Sequence, residues 1–197
     1  HITLIDHDLV ELTNLQRQIM HAESKIGSNK AASGKQFLEQ LNSSIRIETI
    51  QAKATGPLLD DLLPSVDIVL DCTDNFTTRH LINAFCVKHQ TPLVSGSALR
   101  FDGQISVFDP RDSASPCYAC IFSPDEQFEE VSCSSMGIFS PLVGIIGTMQ
   151  AAQALQMIIG FGDPLVGRML LWDARTTQIN EIKIARNLEC SVCGSQD

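Results

Sequence analysis

Short apolar runs and amphipathic segments alternate along the first half of the chain. The opening run, with Ile2, Leu4 and Ile5, is short and rich in β-branched residues, which is typical of a buried strand. Similar runs lie at residues 45–50, 67–71 and 92–97, with helical patterns between them at residues 30–41, 58–63 and 77–89. Strands that alternate with helices predict an α/β fold with a parallel, doubly wound, Rossmann-like sheet in the N-terminal half.

From about residue 103 the pattern changes. Ile105, Val107 and Phe108 lie in one predicted strand, and residues 168–173 and 178–184 predict two strands joined by a short turn. We therefore expect antiparallel strands to be added to the sheet in the C-terminal half. The sequence contains no internal repeat, low-complexity run or clear linker, so we predict one domain over residues 1–197, with halves of about 1–100 and 101–197.

A long apolar segment at residues 141–160 has about the 20 residues that span a bilayer. Gln150, Gln153 and Gln156 argue against insertion, so we predict no membrane association. Small residues recur at spacings of three and four on one face of this segment: Gly144, Gly147, Ala151 and Ala154. We interpret the segment as a buried helix that packs closely on the sheet.

Composition and charge narrow the class of protein. The chain has 197 residues, is 44% hydrophobic and carries a formal net charge of −9. An acidic chain argues against non-specific nucleic-acid binding, which needs a surface rich in Lys and Arg. Seven cysteines, four of them in two Cys-x-x-Cys pairs, favour metal binding in a reducing compartment over a secreted disulfide framework. The sequence shows no signal peptide, and we predict a cytoplasmic protein.

The opening strand ends on Asp6, where a carboxylate can accept hydrogen bonds from the hydroxyls of a nucleotide ribose. Such an Asp normally lies about 20 residues after a glycine-rich phosphate loop. The chain opens inside a strand without an initiator Met, so we expect it to be a fragment that lacks the first strand and this loop. Asn14, Arg17 and Gln18 follow, where a phosphate chain would lie, although many strand-end Asp residues simply cap or form turns.

Further polar residues follow the strand at residues 67–71. Asp71 and Asp74 lie where this strand ends, at the rim where open α/β sheets place ligands. A carboxylate there can hold Mg²⁺, which in turn binds substrate phosphates. A polar turn that caps the next helix explains the same residues, and spacing alone favours this explanation over a metal site.

The paired cysteines predict a metal site. Cys117 and Cys120 form one Cys-x-x-Cys turn, and Cys190 and Cys193 form the other. Two such turns complete a tetrahedral Zn²⁺ site, and four thiolates leave no open position, so the zinc would be structural. The alternative is a pair of redox dithiols.

Three cysteines remain outside these pairs. Cys133 lies in a polar segment and could act as a nucleophile, but the acidic neighbours Glu129 and Glu130 disfavour its thiolate. From the residues alone we interpret Cys133 as a bystander, and Cys72 and Cys86 as small core residues.

Taken together, these segments resemble the HesA/MoeB/ThiF family of activating enzymes for ubiquitin-like sulfur carriers. The resemblance covers nearly the whole chain and rests on the order of seven segments: DHDLVELTNLQRQ, IGSNKA, LDCTDN, SGSALRFDGQISVF, CYAC, GIFSPLVGIIGTMQA and CSVCG. It implies an adenylyltransferase that binds ATP and Mg²⁺. The C-terminal carboxylate of a carrier ending in Gly-Gly attacks the α-phosphate, pyrophosphate leaves, and an acyl-adenylate serves molybdopterin or thiamine biosynthesis.

The resemblance also implies residue roles. Asp6 would hold the ribose, and Asp74 would bind Mg²⁺. The cysteine quartet matches the family's structural zinc, and the zinc-containing C-terminal half would bind the carrier. Cys133 falls where the thiamine-type members have a cysteine that joins the carrier through a persulfide linkage. Four residues would contact the phosphates, Arg17 and Lys30 among them in catalytic roles: Asn14, Arg17, Gln18 and Lys30.

Two departures from the family pattern leave other hypotheses open. The sequence lacks the glycine-rich loop with which the family binds the ATP phosphates. It also lacks the N-terminal segment, which in the family's homodimers supplies an Arg to the active site of the partner subunit. We therefore also consider a non-catalytic protein that docks the carrier. A nicotinamide-dependent oxidoreductase could use Asp6 in the same way, but the sequence supplies no obvious hydride-transfer site. No rhodanese-like extension follows Cys193, so sulfur would come from a separate donor protein.

Overall fold

The computed structural model describes residues 1–124 and 137–194, in two units that divide after Thr55. In the first unit, strand β1 (Ile2–Ile5) pairs in parallel with strand β2 (Ile47–Ile50), and helix α1 (Lys30–Leu41) lies between them in the chain. Ile2 is opposite Ile47 and Ile5 is opposite Ile50. This β-α-β order is the one predicted from the apolar pattern.

Asn29 begins helix α1 and ties it to strand β1. Its side-chain oxygen accepts a hydrogen bond from the backbone N–H of Ala32 at 3.1 Å, as an N-cap does. Its side-chain amide donates to the backbone oxygen of Asp6 at 2.9 Å. One residue therefore sets both the start of the helix and its distance from the end of the strand.

The second unit contains the other three helices and five strands of the described residues. They follow in this order: α2 (Gly56–Leu62), β3 (Val69–Asp71), α3 (Phe76–His89), β4 (Leu93–Leu99), β5 (Asp102–Phe108), α4 (Ser140–Ile159), β6 (Arg168–Asp173) and β7 (Gln178–Lys183). The five strands form one sheet in sequence order. β3 and β4 are parallel, and the remaining pairs are antiparallel.

The predicted fold class is confirmed: parallel pairing in the N-terminal part of the chain gives way to antiparallel strands in the C-terminal part. One detail differs. In the described part of the chain β1 and β2 pair only with each other, so the strands form two sheets instead of one. Periodicity identifies strands, but it does not say which strands exchange hydrogen bonds, because pairing depends on how elements that are distant in the chain pack together.

Residues 93–96, the first four of strand β4, are buried, and the side chains of this strand contact apolar clusters on both faces of the sheet. Leu93 packs with Phe108 and with Ile82 of α3. Its neighbour Val94 points to the other face and joins a second cluster with Ile105. Cys86 is buried in the first cluster, as predicted, whereas Cys72 is exposed, so the prediction of a core position is wrong for Cys72.

Helix α4 packs on β4 and β5, but only four of its 20 residues are buried, whereas the sequence predicts a buried helix. These buried positions recur every four residues: Leu142, Ile146, Gln150 and Ala154. Ala154 is the one member of the predicted small-residue stripe among them, and Gly144, Gly147 and Ala151 are exposed. The close approach comes instead from glycines in the strands. A Cβ atom on Gly96 of β4 would lie 2.3 Å from the side chain of Gln150, and one on Gly103 of β5 would lie 2.8 Å from Ile146.

We predict opposite effects for glycine-to-alanine changes in β4 and α4. Gly96→Ala overpacks the contact with Gln150 and should destabilise the fold by about 1–3 kcal/mol. Gly144→Ala adds a methyl group to open space and should stabilise it by about 0.5–1 kcal/mol, because alanine favours a helix. Urea unfolding of both variants tests this. Equal effects would contradict the assignment of the close contact to the strand glycines.

By length and composition, helix α4 could cross a membrane, and it is the single helix of this kind in the described part of the chain. The core helix of a soluble protein, most of which is buried, passes the same test, whereas 22% of the apolar stretch of α4 is buried. Its Leu142 and Ile146 lie against the sheet of the second unit. The finding is therefore weak evidence for a membrane span.

Candidate functional site

The end of strand β1 carries a small charged cluster in the first unit. One carboxylate oxygen of Asp6 accepts the backbone N–H of Asp8 at 2.8 Å. The Lys30 ammonium lies 2.9 Å from the Asp8 carboxylate, and this hydrogen bond holds the pKa of Asp8 below its usual value. Since Lys30 is the first residue of α1, its charge stands at the positive end of the helix. The Asp8 carboxylate offsets the Lys30 charge, so an anion bound at this end of the unit would compete with Asp8 for Lys30.

The three polar residues that follow β1 differ in what they offer a ligand. Asn14 is 7% exposed, and its side-chain oxygen accepts the backbone N–H of Glu11 at 3.0 Å, so it stabilises its own turn. Arg17 donates to the backbone oxygen of Thr13 and has no carboxylate within 4.0 Å in the part of the chain that the structure describes. The side-chain oxygen of Gln18 is buried without a hydrogen-bond partner. Arg17 and the side-chain oxygen of Gln18 can therefore still bind a ligand, whereas the side-chain oxygen of Asn14 is already hydrogen-bonded within its own turn.

The polar loop after β3 belongs to the second unit, and its two acids have different environments. Asp71 is 1% exposed, and one of its oxygens accepts both the backbone N–H and the hydroxyl of Thr73, at 2.9 and 2.7 Å. Asp74 is exposed, and its carboxylate makes no hydrogen bond or ion pair with the described residues. Asn75 caps helix α3 by accepting the N–H of Thr78 at 2.8 Å. The capping explanation thus applies to Asn75 and leaves Asp74 open to solvent.

Sequence reasoning missed one charged residue next to this loop. Arg79 is only 7% exposed and donates two hydrogen bonds to the backbone oxygen of Thr73. A signal for its burial was present, because Arg79 shares the helical spacing of the buried residues Ile82, Asn83 and Cys86. An arginine on the apolar face of a helix requires a polar partner.

The two Cys-x-x-Cys turns meet in the second unit, although 73 residues separate the facing cysteines. The sulfur atoms of Cys117 and Cys190 are 3.7 Å apart, and those of Cys120 and Cys193 are 3.4 Å apart. All four sulfurs lie within 4.8 Å of one another. A tetrahedral zinc with bonds of about 2.3 Å requires sulfur separations of about 3.8 Å, so the four thiols fit this metal.

N–H groups around the cluster also suit a metal-bound thiolate site. The side-chain amide of Asn83 donates to the sulfur of Cys117 at 3.6 Å, and the backbone N–H of Asn187 donates to Cys120 at 3.4 Å. Burial raises the pKa of Cys117, which favours the neutral thiol. A bound divalent cation reverses this preference by stabilising the thiolate.

Comparison with known proteins identifies the family to which the chain belongs. The family model described as "ThiF family" matches residues 1–192. The chain belongs to the ThiF family. It is 41% identical over 196 residues to molybdopterin-synthase adenylyltransferase of Escherichia coli (strain K12), covering 98% of this chain and 77% of that protein. It is 38% identical over 195 residues to adenylyltransferase and sulfurtransferase MOCS3 of Culex quinquefasciatus, covering 98% of this chain and 44% of that protein.

Solved structures agree with this ThiF-family assignment at the level of the fold. The structure described as E. coli MccB with ATP matches with a TM-score of 0.84 at 24% identity, covering 99% of this chain and 60% of that chain. The predicted family resemblance is therefore confirmed, and the names of the relatives agree with the predicted enzyme class, an adenylyltransferase. Cys133 lies outside the described residues, so its predicted role is not tested.

Proposed function

We propose that this ThiF-family chain catalyses the ATP-dependent adenylylation of the C-terminal glycine carboxylate of a ubiquitin-like sulfur carrier ending in Gly-Gly, for molybdopterin synthesis. The observation that carries the proposal is the 41% identity, over 98% of this chain, to a protein named molybdopterin-synthase adenylyltransferase. The chain spans about three quarters of that relative and less than half of the MOCS3 relative. The proposed activity is that of the whole protein that contains this chain.

ATP would be bound by the polar residues of the first unit. Asp6 would accept hydrogen bonds from the ribose hydroxyls, since the N–H of Asp8 occupies only one of its oxygens. Arg17, Gln18 and Lys30 would contact the phosphates, and Asn14 would act mainly by shaping the turn that presents them. As the carrier carboxylate attacks the α-phosphate and pyrophosphate leaves, the charges of Arg17 and Lys30 would stabilise the negative charge that develops.

In the second unit, Asp74 would bind Mg²⁺, and the four cysteines would bind a structural zinc ion. Bound Mg²⁺ neutralises charge on the transferring phosphate oxygens. Exposure of the Asp74 carboxylate supports this role, whereas Asp71 is buried and occupied by Thr73. The zinc would stabilise the fold without taking part in the reaction, because a site with four thiolates has no open position.

Exchange of labelled pyrophosphate into ATP tests the proposal directly. The natural full-length protein is mixed with ATP, Mg²⁺ and a carrier ending in Gly-Gly, and a carrier lacking its last glycine is the matched control. We expect exchange with the intact carrier alone. A folded protein that binds the intact carrier in a calorimeter but shows no exchange would favour the docking hypothesis instead.

We further propose that this chain acts by the molybdopterin-type route, in which no cysteine joins the carrier covalently. Under either route we predict that Cys133→Ser retains carrier-dependent pyrophosphate exchange, because this half-reaction needs only ATP and the carrier carboxylate. Mass spectrometry of the intact protein, after incubation with ATP, carrier and a sulfur donor, then tests for a reducible adduct. An adduct that is absent in the serine variant would indicate the thiamine-type route.

The family resemblance supports two further proposals about the assembled protein. We propose that residues 1–197 form one domain and that the protein is a cytoplasmic homodimer. Sedimentation equilibrium of the natural full-length protein tests the dimer. A mass equal to one chain at micromolar concentration would contradict it.

A further inference from the structure

Thr73, the residue before Asp74, is held at all three of its polar groups. Its backbone N–H and its hydroxyl both donate to one carboxylate oxygen of Asp71, at 2.9 and 2.7 Å. Its backbone oxygen accepts hydrogen bonds from two nitrogens of Arg79, Nε at 3.2 Å and Nη2 at 2.6 Å. We call this arrangement of Asp71, Thr73 and Arg79 the Thr73 clamp.

Both charged members of the Thr73 clamp are buried. Asp71 is 1% exposed and Arg79 is 7% exposed. Burial of a carboxylate and a guanidinium costs folding free energy unless their polar atoms are hydrogen-bonded. Apolar residues of similar size would avoid this cost, so packing alone does not explain Asp71 and Arg79. Helix capping does not explain them either, because Asn75 already caps α3. Their shared target is the backbone of one residue in the loop.

The core holds Asp71 itself in place. The side-chain amide of Gln150, on helix α4, donates to the backbone oxygen of Asp71 at 2.8 Å. The hydroxyl of Ser95, on strand β4, lies 3.4 Å from the second carboxylate oxygen. The Thr73 clamp is thus anchored to the sheet and to the helix that packs on it.

Asp74 therefore lies between two fixed residues. The Thr73 clamp precedes it, and Asn75, fixed by its capping hydrogen bond to Thr78, follows it. The carboxylate of Asp74 is nevertheless exposed and has no partner among the described residues. A fixed backbone that carries an open carboxylate is the arrangement expected of a pre-organised metal ligand, whose supporting residues set its affinity.

We propose that Asp71 and Arg79 are positioning residues that, by holding Thr73, place the Asp74 carboxylate for Mg²⁺. The inference rests on the proposed function, because the magnesium role of Asp74 belongs to it. It assigns a task to two buried charges that do not themselves contact the metal or the nucleotide.

The Mg²⁺ dependence of two variants and a matched control tests the inference in the natural full-length protein. Arg79→Lys keeps the positive charge but loses the forked pair of hydrogen bonds, and Thr73→Val removes the hydroxyl bond to Asp71. Thr78→Val is the control, since it makes the same change on α3, and the Thr78 hydroxyl makes no hydrogen bond to the described residues. Two quantities are measured against Mg²⁺ concentration: pyrophosphate exchange, and calorimetric ATP binding without carrier.

We expect Arg79→Lys to raise the Mg²⁺ concentration for half-maximal exchange about 10- to 100-fold, as loss of an outer-shell partner does. Thr73→Val should raise it about fivefold, which corresponds to one lost hydrogen bond. At saturating Mg²⁺ both should recover most of the parent rate, and Thr78→Val should match the parent throughout. A merely structural role would lower the melting temperature and the active fraction without shifting the Mg²⁺ midpoint.

The outcomes separate this inference from the proposed function. If Asp74→Ala loses exchange while Thr73→Val and a folded Arg79→Lys keep the parent Mg²⁺ midpoint, the positioning role is overturned and the proposed function stands. If Arg79→Lys does not fold, Thr73→Val decides alone. If Asp74→Ala keeps normal exchange, the magnesium role of Asp74 and the inference built on it both fail.

Discussion

Replacement of Asp74 by alanine is expected to lower carrier-dependent pyrophosphate exchange by about 100- to 1,000-fold, because it removes a ligand of the Mg²⁺ that would stabilise transition-state charge. The carboxylate is exposed and makes no bond that holds the described part of the fold together, so its loss creates no cavity. We expect the melting temperature to stay within about 2 °C of the parent value. Exchange assays and a circular dichroism melt on the natural full-length protein measure both quantities.

Asp67→Ala is the matched control for this experiment. Asp67 is also an exposed aspartate, but it lies before strand β3, at the opposite end from Asp74. Its replacement changes the net charge equally and should leave exchange unchanged. Normal exchange by Asp74→Ala at saturating Mg²⁺, or equal losses in the two variants, would contradict a specific metal-binding role for Asp74.

The second large effect is expected from removal of zinc. We predict one zinc ion per chain and a fall in melting temperature of about 10 °C in Cys190→Ser. A loss of about 4 kcal/mol, well below the binding free energy of structural zinc sites, shifts the midpoint by this amount in a domain of this size. The reason lies in the topology, because the ion would join two turns that are 73 residues apart in the chain.

Metal analysis and thermal melts of the purified protein test the zinc prediction. Cys72→Ser is the control, because Cys72 lies outside the cluster of four and serine can keep the contact of its side chain with the side-chain oxygen of Gln150, which is 3.8 Å from the sulfur. This variant should retain one zinc ion per chain and the parent melting temperature. A parent protein that contains no zinc and melts at the same temperature as Cys190→Ser would refute the zinc site. The four cysteines would then be interpreted as two redox dithiols.

Local patterns determined the helices and strands closely. Helix α1 was predicted at residues 30–41 and is observed at Lys30–Leu41, because the N-cap Asn29 and the apolar spacing act within a few residues of each other. Strand β6 was likewise predicted at residues 168–173 and is observed at Arg168–Asp173. Such signals are encoded within one element, so a single sequence suffices to find them.

The packing of helix α4 was decided by residues far away in the sequence. Two faces of the helix carry plausible spacings, one of small residues and one with Leu142, Ile146 and Gln150. Only the second face meets the sheet, because Gly96 and Gly103 leave room for the larger side chains. Periodicity identifies a face, but the shape of the opposing surface selects which face is buried.

The candidate site shows the same division. The sequence by itself determined the residue types: a strand-end Asp6, an Asp74 just beyond the strand at residues 67–71, and two Cys-x-x-Cys turns whose spacing points each pair of sulfurs at one ion. Only the tertiary structure decided that the two turns meet and that Arg79 reaches the backbone of Thr73. These contacts depend on how helices and strands pack, and packing sums many weak interactions between residues that are distant in the chain.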